Sequence, residues 1–284
     1  MVDVTKHAPV WLITGCSSGL GEAMARHALE RGDRVAVTAR DRAAVTDLAA
    51  GFGGRALALD LDVTDPESVT EAVRACEQTF GRIDVLVNNA GYGYLAAIEE
   101  GEDNAVRALY DTNVHGVVTV LKAVLPGMRA RRSGRIVNVS SFGGLAAFPA
   151  TGYYHATKFA LEGLSESLAA EVAPLGISVT IAEPGGLRTQ WAGASMHQSP
   201  VRLDDYEQTA GKRRESTLAV SGRQPGDPAR AAAAIATAVD AEVPPLRLLL
   251  GSDALRGARA RLERLRAEID ANEALTKTVD LEDA

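Results

Sequence analysis

Residues 9–32 read PVWLITGCSSGLGEAMARHALERG, and this stretch decides the fold class. Its apolar start predicts a strand, and its second half predicts a helix that follows after one tight turn. That turn contains a G-x-x-x-G-x-G motif formed by Gly15, Gly19 and Gly21. Glycine permits positive φ and close backbone approach, while a helix N-terminus offers free N–H groups to an anion. The turn therefore fits a phosphate cradle, although tight packing alone would also use glycine here.

Apolar runs of strand length alternate with longer helical patterns along the rest of the chain. Their nearly continuous apolarity is typical of strands that are covered on both faces. The strand candidates are residues 9–14, 34–39, 55–60, 83–88, 134–140, 177–182 and 246–251. Such an alternation predicts an α/β fold, with a doubly wound, Rossmann-like parallel sheet of about seven strands flanked by helices.

The chain is predicted to be one catalytic, dinucleotide-binding domain over residues 1–284, with two distinctive segments. Residues 187–226 mix Ser, Gly, Gln, Pro and charges after a predicted strand, where a substrate lid would lie, although a variable surface loop fits as well. Trp191, Met196 and Tyr206 in this segment suggest an apolar or aromatic pocket lining, or ordinary packing. Residues 253–275 predict an amphipathic surface or oligomer-contact helix.

Composition excludes several function classes. The 284 residues carry a net charge of -7, which disfavours nucleic acid and anionic membranes as partners. No run of about 18 apolar residues and no secretory leader pattern is present, so neither a membrane span nor export is expected. Cys16 and Cys76 offer no disulfide framework, and the five histidines show no ligand spacing, so no metal site is expected. These features predict a cytoplasmic protein.

The end of the second predicted strand bears on cofactor choice. Folds that accept NAD usually place a carboxylate there, whereas arginine suits the 2'-phosphate of NADP. Ala39 occupies the carboxylate position and Arg40 follows it, with Arg42 as a second basic residue. NADP(H) is therefore favoured and NAD(H) remains open, since Asp41 adds negative charge and these arginines could also be solvated surface residues.

The stretch TGYYHATKF places Tyr154 and Lys158 four residues apart on a predicted helix. Residues at that spacing share a helix face, so the phenol and the ammonium can approach each other. A free phenol has a pKa near about 10, and a nearby ammonium favours its ionised form. The pair therefore predicts a tunable acid/base, with Lys158 lowering the pKa of Tyr154. Tyr153 is the adjacent rival, but its partner four residues on is Thr157, which carries no charge.

Several motifs in order resemble those of the short-chain dehydrogenase/reductase family, of the single-domain type. The resemblance covers roughly residues 9–190, and residues 227–251 fit the family's last helix and strand. Its motifs are TGCSSGLG (14–21), LDVTD (61–65), NNAG (88–91), NVHG (113–116), VSS (139–141), Y-x-x-x-K (154–158) and EPGGLRT (183–189). The family's activity implies hydride transfer between a nicotinamide and a carbonyl or alcohol carbon, with a matched proton transfer at the oxygen.

The resemblance assigns four catalytic residues. Tyr154 would exchange the proton, and Lys158 would support it and hold the nicotinamide ribose. Ser141 lies 13 residues before Tyr154, the family's usual interval, and would donate a hydrogen bond to the substrate oxygen. Asn113 matches a position where a helix distortion lets the backbone hold a water that links the lysine to solvent.

The resemblance also implies a set of cofactor contacts. Asp62 would contact adenine, although the nearby Asp60 leaves the register open. Asn88, Ala90 and Gly91 of NNAG would sit against the adenine and ribose, although a purely structural role for this strand-end turn fits as well. The full set is Gly15, Ser17, Ser18, Gly19, Leu20, Gly21, Arg40, Asp62, Val63, Asn89, Ala90, Gly91, Tyr154, Lys158, Pro184, Gly185, Leu187 and Thr189.

Two functions from different classes fit the sequence. The first is an NADP(H)-dependent carbonyl reductase or alcohol dehydrogenase for a mid-sized, fairly apolar small molecule. The second is a non-catalytic dinucleotide sensor on the same fold, which would need the glycine turn but not the four catalytic residues. Epimerase or dehydratase chemistry is a weaker third reading, because residues 187–226 are too few for a separate substrate domain. The resemblance further implies a homodimer or homotetramer.

Overall fold

The computed structural model describes residues 8–193 and 195–281, and a parallel sheet organises them. All seven predicted strands are confirmed to within two residues at each end, and two short strands are added. In chain order the strands of the described part are β1 (Val10–Ile13), β2 (Arg34–Ala39), β3 (Ala56–Asp60), β4 (Val85–Asn88), β5 (Gly93–Leu95), β6 (Gly134–Val139), β7 (Ile177–Pro184), β8 (Met196–Gln198) and β9 (Arg247–Leu250).

The main sheet has seven parallel strands in the order β3-β2-β1-β4-β6-β7-β9. Strand β1 lies at its centre, where Leu12 is in register with Ala36 of β2 and Leu86 of β4. The chain winds outward from β1 to one edge, returns, and then winds to the other edge. This reversal beside β1 creates the crevice in which doubly wound folds bind their ligands.

Helices cover both faces of the sheet. The described α-helices are α1 (Gly19–Glu30), α2 (Ala43–Ala50), α3 (Pro66–Phe80), α4 (Asp103–Tyr110), α5 (Gly116–Arg131), α6 (Gly152–Val172), α7 (Lys212–Ala219), α8 (Pro228–Asp240), α9 (Ser252–Ala271) and α10 (Glu273–Thr276). The Asp65 carboxylate caps the start of α3 by accepting from the N–H of Glu67 at 3.0 Å. Gly81 ends the same helix with φ of 87°.

The core consists of two apolar layers separated by the sheet. Side chains of β1 alternate between them: Leu12 packs with α3, α5 and α6, whereas Trp11 and Ile13 pack with α1 and α8. Because both strand faces are covered, both need apolar residues, which explains the continuous apolarity seen in the sequence. Cys16 and Cys76 are buried in different layers and are free thiols.

The segment 187–226 folds over the carboxyl edge of the sheet. Its short strand β8 pairs in parallel with β5. Neither strand was predicted, because each has only three residues, too few to show a strand pattern. Met196 of β8 is buried against Leu95, with Trp191 and Tyr206 beside them. We refer to residues 187–226 as the cover segment.

The buried side chain of Glu100 holds the cover segment through hydrogen bonds and an ion pair. The Glu100 side chain is 2% exposed, and its carboxylate accepts from Arg214 Nη2 at 2.5 Å and from the N–H groups of Ala97 at 2.9 Å and Leu203 at 3.0 Å. The Glu100 carbonyl also accepts from the Ser199 hydroxyl at 2.6 Å. Burial raises the pKa of Glu100, but the two backbone donors and Arg214 outweigh it and hold that pKa below its ordinary value.

The C-terminal helix lies on the surface. Helix α9 begins one residue before the predicted start and ends at Ala271, and the short α10 completes the predicted range. Only Ala254 and Ala258 of α9 are buried, while Leu262 and Ile269 are mostly exposed.

No helix among residues 8–193 and 195–281 is both long and apolar enough to cross a membrane. The described part of the chain also contains no group of three or more His, Cys, Asp or Glu side chains placed to hold a metal ion.

Replacing Glu100 should separate the cover segment from the body. Glu100→Ala leaves the Arg214 guanidinium buried without a partner, so we expect a loss of about 3–5 kcal/mol in the free energy of unfolding at neutral pH. The neighbouring exposed Glu99, which bonds only the Tyr206 hydroxyl at 2.7 Å, provides the control: Glu99→Ala should cost under about 1 kcal/mol. Urea denaturation measures both.

The pH dependence of that loss has a defined sign. A carboxyl whose folded-state pKa is lowered contributes its stability above the unfolded pKa, near 4.5, and loses it as the pH falls below that value. The difference between the parent and Glu100→Ala should therefore shrink below pH 4.5. An equal loss at all pH values would show that the carboxylate charge does not hold the cover segment.

Candidate active site

A cleft of about 950 Å³ opens at the carboxyl edge of the sheet. Its walls come from the turns that follow β1, β2, β3, β4, β6 and β7, from the start of α6, and from the cover segment. Parallel strands bring their carboxyl ends to one edge, so segments that are far apart in sequence meet here. The cleft is large enough for a dinucleotide cofactor together with a small molecule.

The glycine turn forms one wall of the cleft. Gly15 and Gly19 adopt positive φ of 72° and 66°, which side-chain-bearing residues rarely adopt. A Cβ on Gly21 would overlap the carbonyl oxygen of Gly15, so only glycine fits there. The turn leads directly into α1, whose first residues, Gly19 and Leu20, line the cleft, and a helix N-terminus can bind a phosphate.

Hydrogen bonds of Thr14 and Asn89 join the glycine turn to the turn after β4. The Thr14 hydroxyl accepts from the N–H groups of Asn89 at 2.9 Å and Ala90 at 3.0 Å, and the Asn89 side-chain amide donates to the carbonyls of Thr14 and Gly15, each at 2.9 Å. Asn88, by contrast, points away from the cleft and donates to Asn138 at 2.8 Å. Asn89, rather than Asn88, therefore shapes the cleft.

The turns after β2 and β3 form the far end of the cleft. Arg40 lies exposed in its wall, next to Ala39, whereas Arg42 is turned away and pairs with Asp60 at 3.8 Å. The Asp62 carboxylate lines the cleft and accepts from the N–H and the hydroxyl of Thr64. Arg40 and Asp62 thus line the cleft, whereas Arg42 and Asp60 do not.

Tyr154 and Lys158 lie on the cleft-facing side of α6 and are only 5% and 6% exposed. The Lys158 ammonium donates to the carbonyl of Val139 at 2.8 Å and lies 5.7 Å from the centre of the Tyr154 ring. Burial lowers the pKa of Lys158 to about 8, although the charge of Glu162 opposes this. Lys158 is therefore still an ammonium at neutral pH.

The pKa of Tyr154 differs from the sequence-based expectation. Lys158 was predicted to lower it, but burial raises the pKa of the phenol to about 12, and only a hydrogen bond with Ser141 opposes that rise. The ammonium is held by the Val139 carbonyl instead of by the phenol oxygen, which explains the difference. Tyr154 is thus a protonated phenol at neutral pH. Such a group can give a proton to a substrate oxygen.

Ser141 lies two residues after the end of β6, beside Tyr154. Its hydroxyl oxygen accepts from the N–H of Gly143 at 3.0 Å and lies 3.5 Å from the carbonyl oxygen of Pro184. These contacts hold the hydroxyl at the cleft wall. The hydroxyl of Ser140, which also borders the cleft, donates to the Glu162 carboxylate.

Asn113 lies in a π-helical turn, Asp111–His115, between α4 and α5. Its side chain is 1% exposed and does not reach the cleft. The Asn113 amide instead accepts from the N–H of Tyr92 at 3.1 Å and donates to the carbonyl of Tyr92 at 3.0 Å and to Thr157 at 3.1 Å. Asn113 therefore joins the turn after β4 to α6, within the helix distortion that the resemblance implied.

Tyr153 points out of the cleft. Its hydroxyl donates to the carbonyl of Ile98 at 2.6 Å, and its ring packs at 6.2 Å from that of Tyr94. The two adjacent tyrosines therefore have different environments, and only Tyr154 can meet a ligand.

The loop after β7 closes the cleft near Tyr154. The Gly186 N–H donates to Asp253 at 2.8 Å, so α9 holds this loop from behind. Thr189 caps a short turn by accepting from the N–H of Trp191 at 3.2 Å, and the Trp191 ring lies 5.1 Å from that of Tyr154. The cover segment thus places an aromatic side chain over the phenol.

Of the predicted site residues, all but three line the cleft: Gly21 and Asn113 support it from behind, and Asn88 points away from it. Several other residues line the cleft that were not predicted from the sequence. They include Thr64, Tyr92, Thr112, Phe148, His155, Arg213, Gln224 and Asp253. Thr64 could have been found, because it lies within the LDVTD motif. Helix spacing did not indicate His155, since adjacent residues of a helix lie about 100 degrees apart, and no motif covered the others.

A family model described as "short chain dehydrogenase" matches residues 9–199. Oxidoreductase BOA17 of Botryotinia fuckeliana is 44% identical over 259 residues, covering 91% of this chain and 94% of the relative. A short-chain dehydrogenase structure from Streptomyces avermitilis has 44% identity and a TM-score of 0.91, with 98% of this chain and 100% of that chain covered.

Two more distant structures hold cofactors. An alcohol dehydrogenase from Thermococcus sibiricus is complexed with 5-hydroxy-NADP; it has 26% identity and a TM-score of 0.71, with 86% of this chain and 96% of that chain covered. A 3-ketoacyl-(acyl-carrier-protein) reductase from Brucella melitensis is complexed with NADH; it has 27% identity and a TM-score of 0.72, with 85% and 96% covered. The chain therefore belongs to the short-chain dehydrogenase family and is an oxidoreductase that uses a nicotinamide dinucleotide.

Proposed function

We propose that the protein is an NADP(H)-dependent reductase of ketones or aldehydes, acting on a mid-sized small molecule. One observation carries this proposal: a buried, protonated phenol, Tyr154, and an ammonium, Lys158, face the same cleft as the glycine turn. A non-catalytic dinucleotide sensor would need the turn but would have no use for a buried acid beside it. We therefore favour the enzyme over the sensor.

The residues present fit a dinucleotide. The glycine turn and the N-terminus of α1 would hold the pyrophosphate, and Asp62, Val63, Asn89, Ala90 and Gly91 would surround the adenosine half. The nicotinamide, which supplies the hydride when bound, would lie beside the loop after β7, in contact with Pro184, Gly185, Leu187 and Thr189. Arg40 in place of a carboxylate supports NADP(H), since its guanidinium can pair with a 2'-phosphate.

In reduction, Tyr154 would give its proton to the substrate oxygen as the hydride reaches the carbonyl carbon. The hydroxyl of Ser141 would hold that oxygen, because it lies at the cleft wall and already bonds with the phenol. Lys158 would stabilise the phenolate left behind and bond the nicotinamide ribose. Asn113 would keep the π-helical turn in place, so that its backbone could hold a water leading from Lys158 to solvent.

The surroundings of the site support further parts of the proposal. The cover segment would act as a substrate lid, since Trp191 lies over Tyr154 and the Glu100–Arg214 pair fixes the segment at its other end. We also infer a cytoplasmic homodimer or homotetramer. Its subunits would meet through helices, as the family resemblance implies.

Replacing Arg40 tests the cofactor preference. If its guanidinium holds the 2'-phosphate, Arg40→Ala should weaken NADPH binding at least tenfold, about 1.4 kcal/mol, and leave NADH binding within about twofold. Fluorescence titration with each dinucleotide measures this without a substrate. Arg42→Ala is the matched control, because Arg42 pairs with Asp60 outside the cleft and its loss should affect neither. Equal weakening of both dinucleotides by Arg40→Ala would refute the 2'-phosphate role.

Replacing Tyr154 tests the acid. Tyr154→Phe removes the proton donor and should reduce ketone turnover by more than about a hundredfold, while NADPH affinity stays within about threefold. Tyr153→Phe removes only a bond to the Ile98 carbonyl and should leave kcat within about twofold. Steady-state kinetics with a ketone substrate distinguishes the two. A large loss in Tyr153→Phe with activity retained in Tyr154→Phe would reverse the assignment.

A further inference from the structure

One face of α7 in the cover segment lines the cleft. Arg213, Ser216 and Thr217 of α7, and Val220 directly after it, recur at helical spacing and all border the cavity. Three of these four side chains are polar, and one carries a full charge. A pocket for a purely apolar substrate would not need such a wall.

Two adjacent arginines of α7 have opposite surroundings. Arg214 points away from the cleft and is neutralised by Glu100 at 2.5 Å. Arg213 faces the cleft, and within residues 8–193 and 195–281 no carboxylate lies within ion-pair distance of it. Its guanidinium is held instead over the ring of Phe148, 5.0 Å from the centroid. Arg213 is thus an uncompensated positive charge in the wall of the site.

The positive charge of Arg213 changes the pKa of a neighbouring side chain in the cleft. Burial lowers the pKa of the Arg213 guanidinium, but arginine remains charged at neutral pH. The pKa of His155 falls to about 4, first through burial and then through repulsion by Arg213. The Arg213 side chain is solvent-exposed, so its guanidinium is accessible to a ligand in the cleft, and no carboxylate among the described residues pairs with it.

Arg213 is placed to meet the far end of a bound substrate. The Phe148 ring beneath it lies 5.5 Å from the His155 ring, and the His155 ring lies 5.7 Å from the Tyr154 ring. These side chains form a continuous wall from the guanidinium to the phenol. A substrate whose carbonyl reaches Tyr154 can therefore extend along apolar rings toward Arg213.

A second polar group in the same wall also has no partner. Gln224 is 6% exposed and borders the cleft, and its buried Oε1 atom accepts no hydrogen bond from the described residues. A buried acceptor left unpaired costs free energy unless a ligand donates to it. A carboxylate has no hydrogen to donate to Oε1, so Arg213 alone would recognise an anion in this wall.

We propose that Arg213 is a specificity-determining residue that binds a carboxylate, so that the preferred substrates are ketones or aldehydes joined through an apolar chain to a carboxylate group. This inference rests on the proposed reductase function. It refines the expectation of a fairly apolar substrate by giving the distal end a negative charge. Guanidinium and carboxylate can pair through two parallel hydrogen bonds.

A binding experiment tests the carboxylate site independently of turnover. The ligands are straight-chain saturated carboxylic acids of increasing length and their methyl esters, titrated against the NADPH-loaded protein and followed by tryptophan fluorescence. At the best chain length the acid should bind at least about tenfold more tightly than its ester. Arg213→Gln should abolish this preference and leave ester binding within about twofold.

Lys212→Gln is the matched control for charge. Lys212 is exposed, adjacent to Arg213 and outside the cleft wall, so its loss should leave the acid preference unchanged. Arg213→Lys keeps a cation but not the planar fork, and should retain only part of the preference. Equal binding of acids and esters by the parent protein, or a preference that survives Arg213→Gln, would overturn the proposal.

A kinetic experiment separates this inference from the proposed function. Methyl ketones with a terminal carboxylate, each paired with its methyl ester, should show kcat/KM at least about tenfold higher for the acid, and only in proteins that keep Arg213. If acids bind through Arg213 but no ketone is reduced, the carboxylate site stands and the reductase function fails. If ketones are reduced without any acid preference, the reductase function stands and the carboxylate site fails.

Discussion

The hydroxyl of Thr14 accepts hydrogen bonds from two backbone N–H groups of the turn after β4, and the rest of the cleft depends on this contact. In the opposite direction, the side-chain amide of Asn89 donates hydrogen bonds to the carbonyls of Thr14 and Gly15. Four hydrogen bonds thus join two strand ends that lie 75 residues apart in sequence. They fix the turn that presents α1 to a phosphate, in a place where a side chain at Gly21 would collide with the Gly15 carbonyl.

The same sheet edge explains how an acid comes to lie beside a dinucleotide site. Helix α6 packs across β6 and β7, which brings Tyr154 and Lys158 to the carboxyl end of these strands. The Val139 carbonyl at the end of β6 holds the Lys158 ammonium, and burial keeps Tyr154 protonated. A buried phenol that keeps its proton is suited to giving it to a substrate oxygen.

Local sequence was sufficient for the sheet and for most of the cleft lining. Strands covered on both faces must be apolar throughout, and glycine turns need specific φ values, so residues 9–32 alone indicated both the fold class and the phosphate cradle. Tyr154 was distinguishable from Tyr153 because helix geometry separates their side chains by about 100 degrees. These inferences needed only neighbours along the chain.

Long-range pairing was what the sequence could not supply. Glu100 and Arg214 are 114 residues apart, and nothing local indicates that they meet in a buried pair. Arg213 and Arg214 look equivalent in sequence, yet the orientation of α7 neutralises one and aims the other into the cleft. The pKa of Tyr154 was likewise mispredicted, because it depends on burial and on which oxygen the Lys158 ammonium contacts.

The most direct test of the central claim follows the hydride itself. The protein is incubated with a ketone panel and NADPH deuterated at both C4 positions of the nicotinamide, and the alcohol products are analysed by mass spectrometry. A reductase would place one deuterium on the carbinol carbon of each alcohol formed. If NADPH binds in the cleft but no ketone acquires deuterium, the site serves dinucleotide binding without catalysis, and the account given for Tyr154 and Lys158 is wrong.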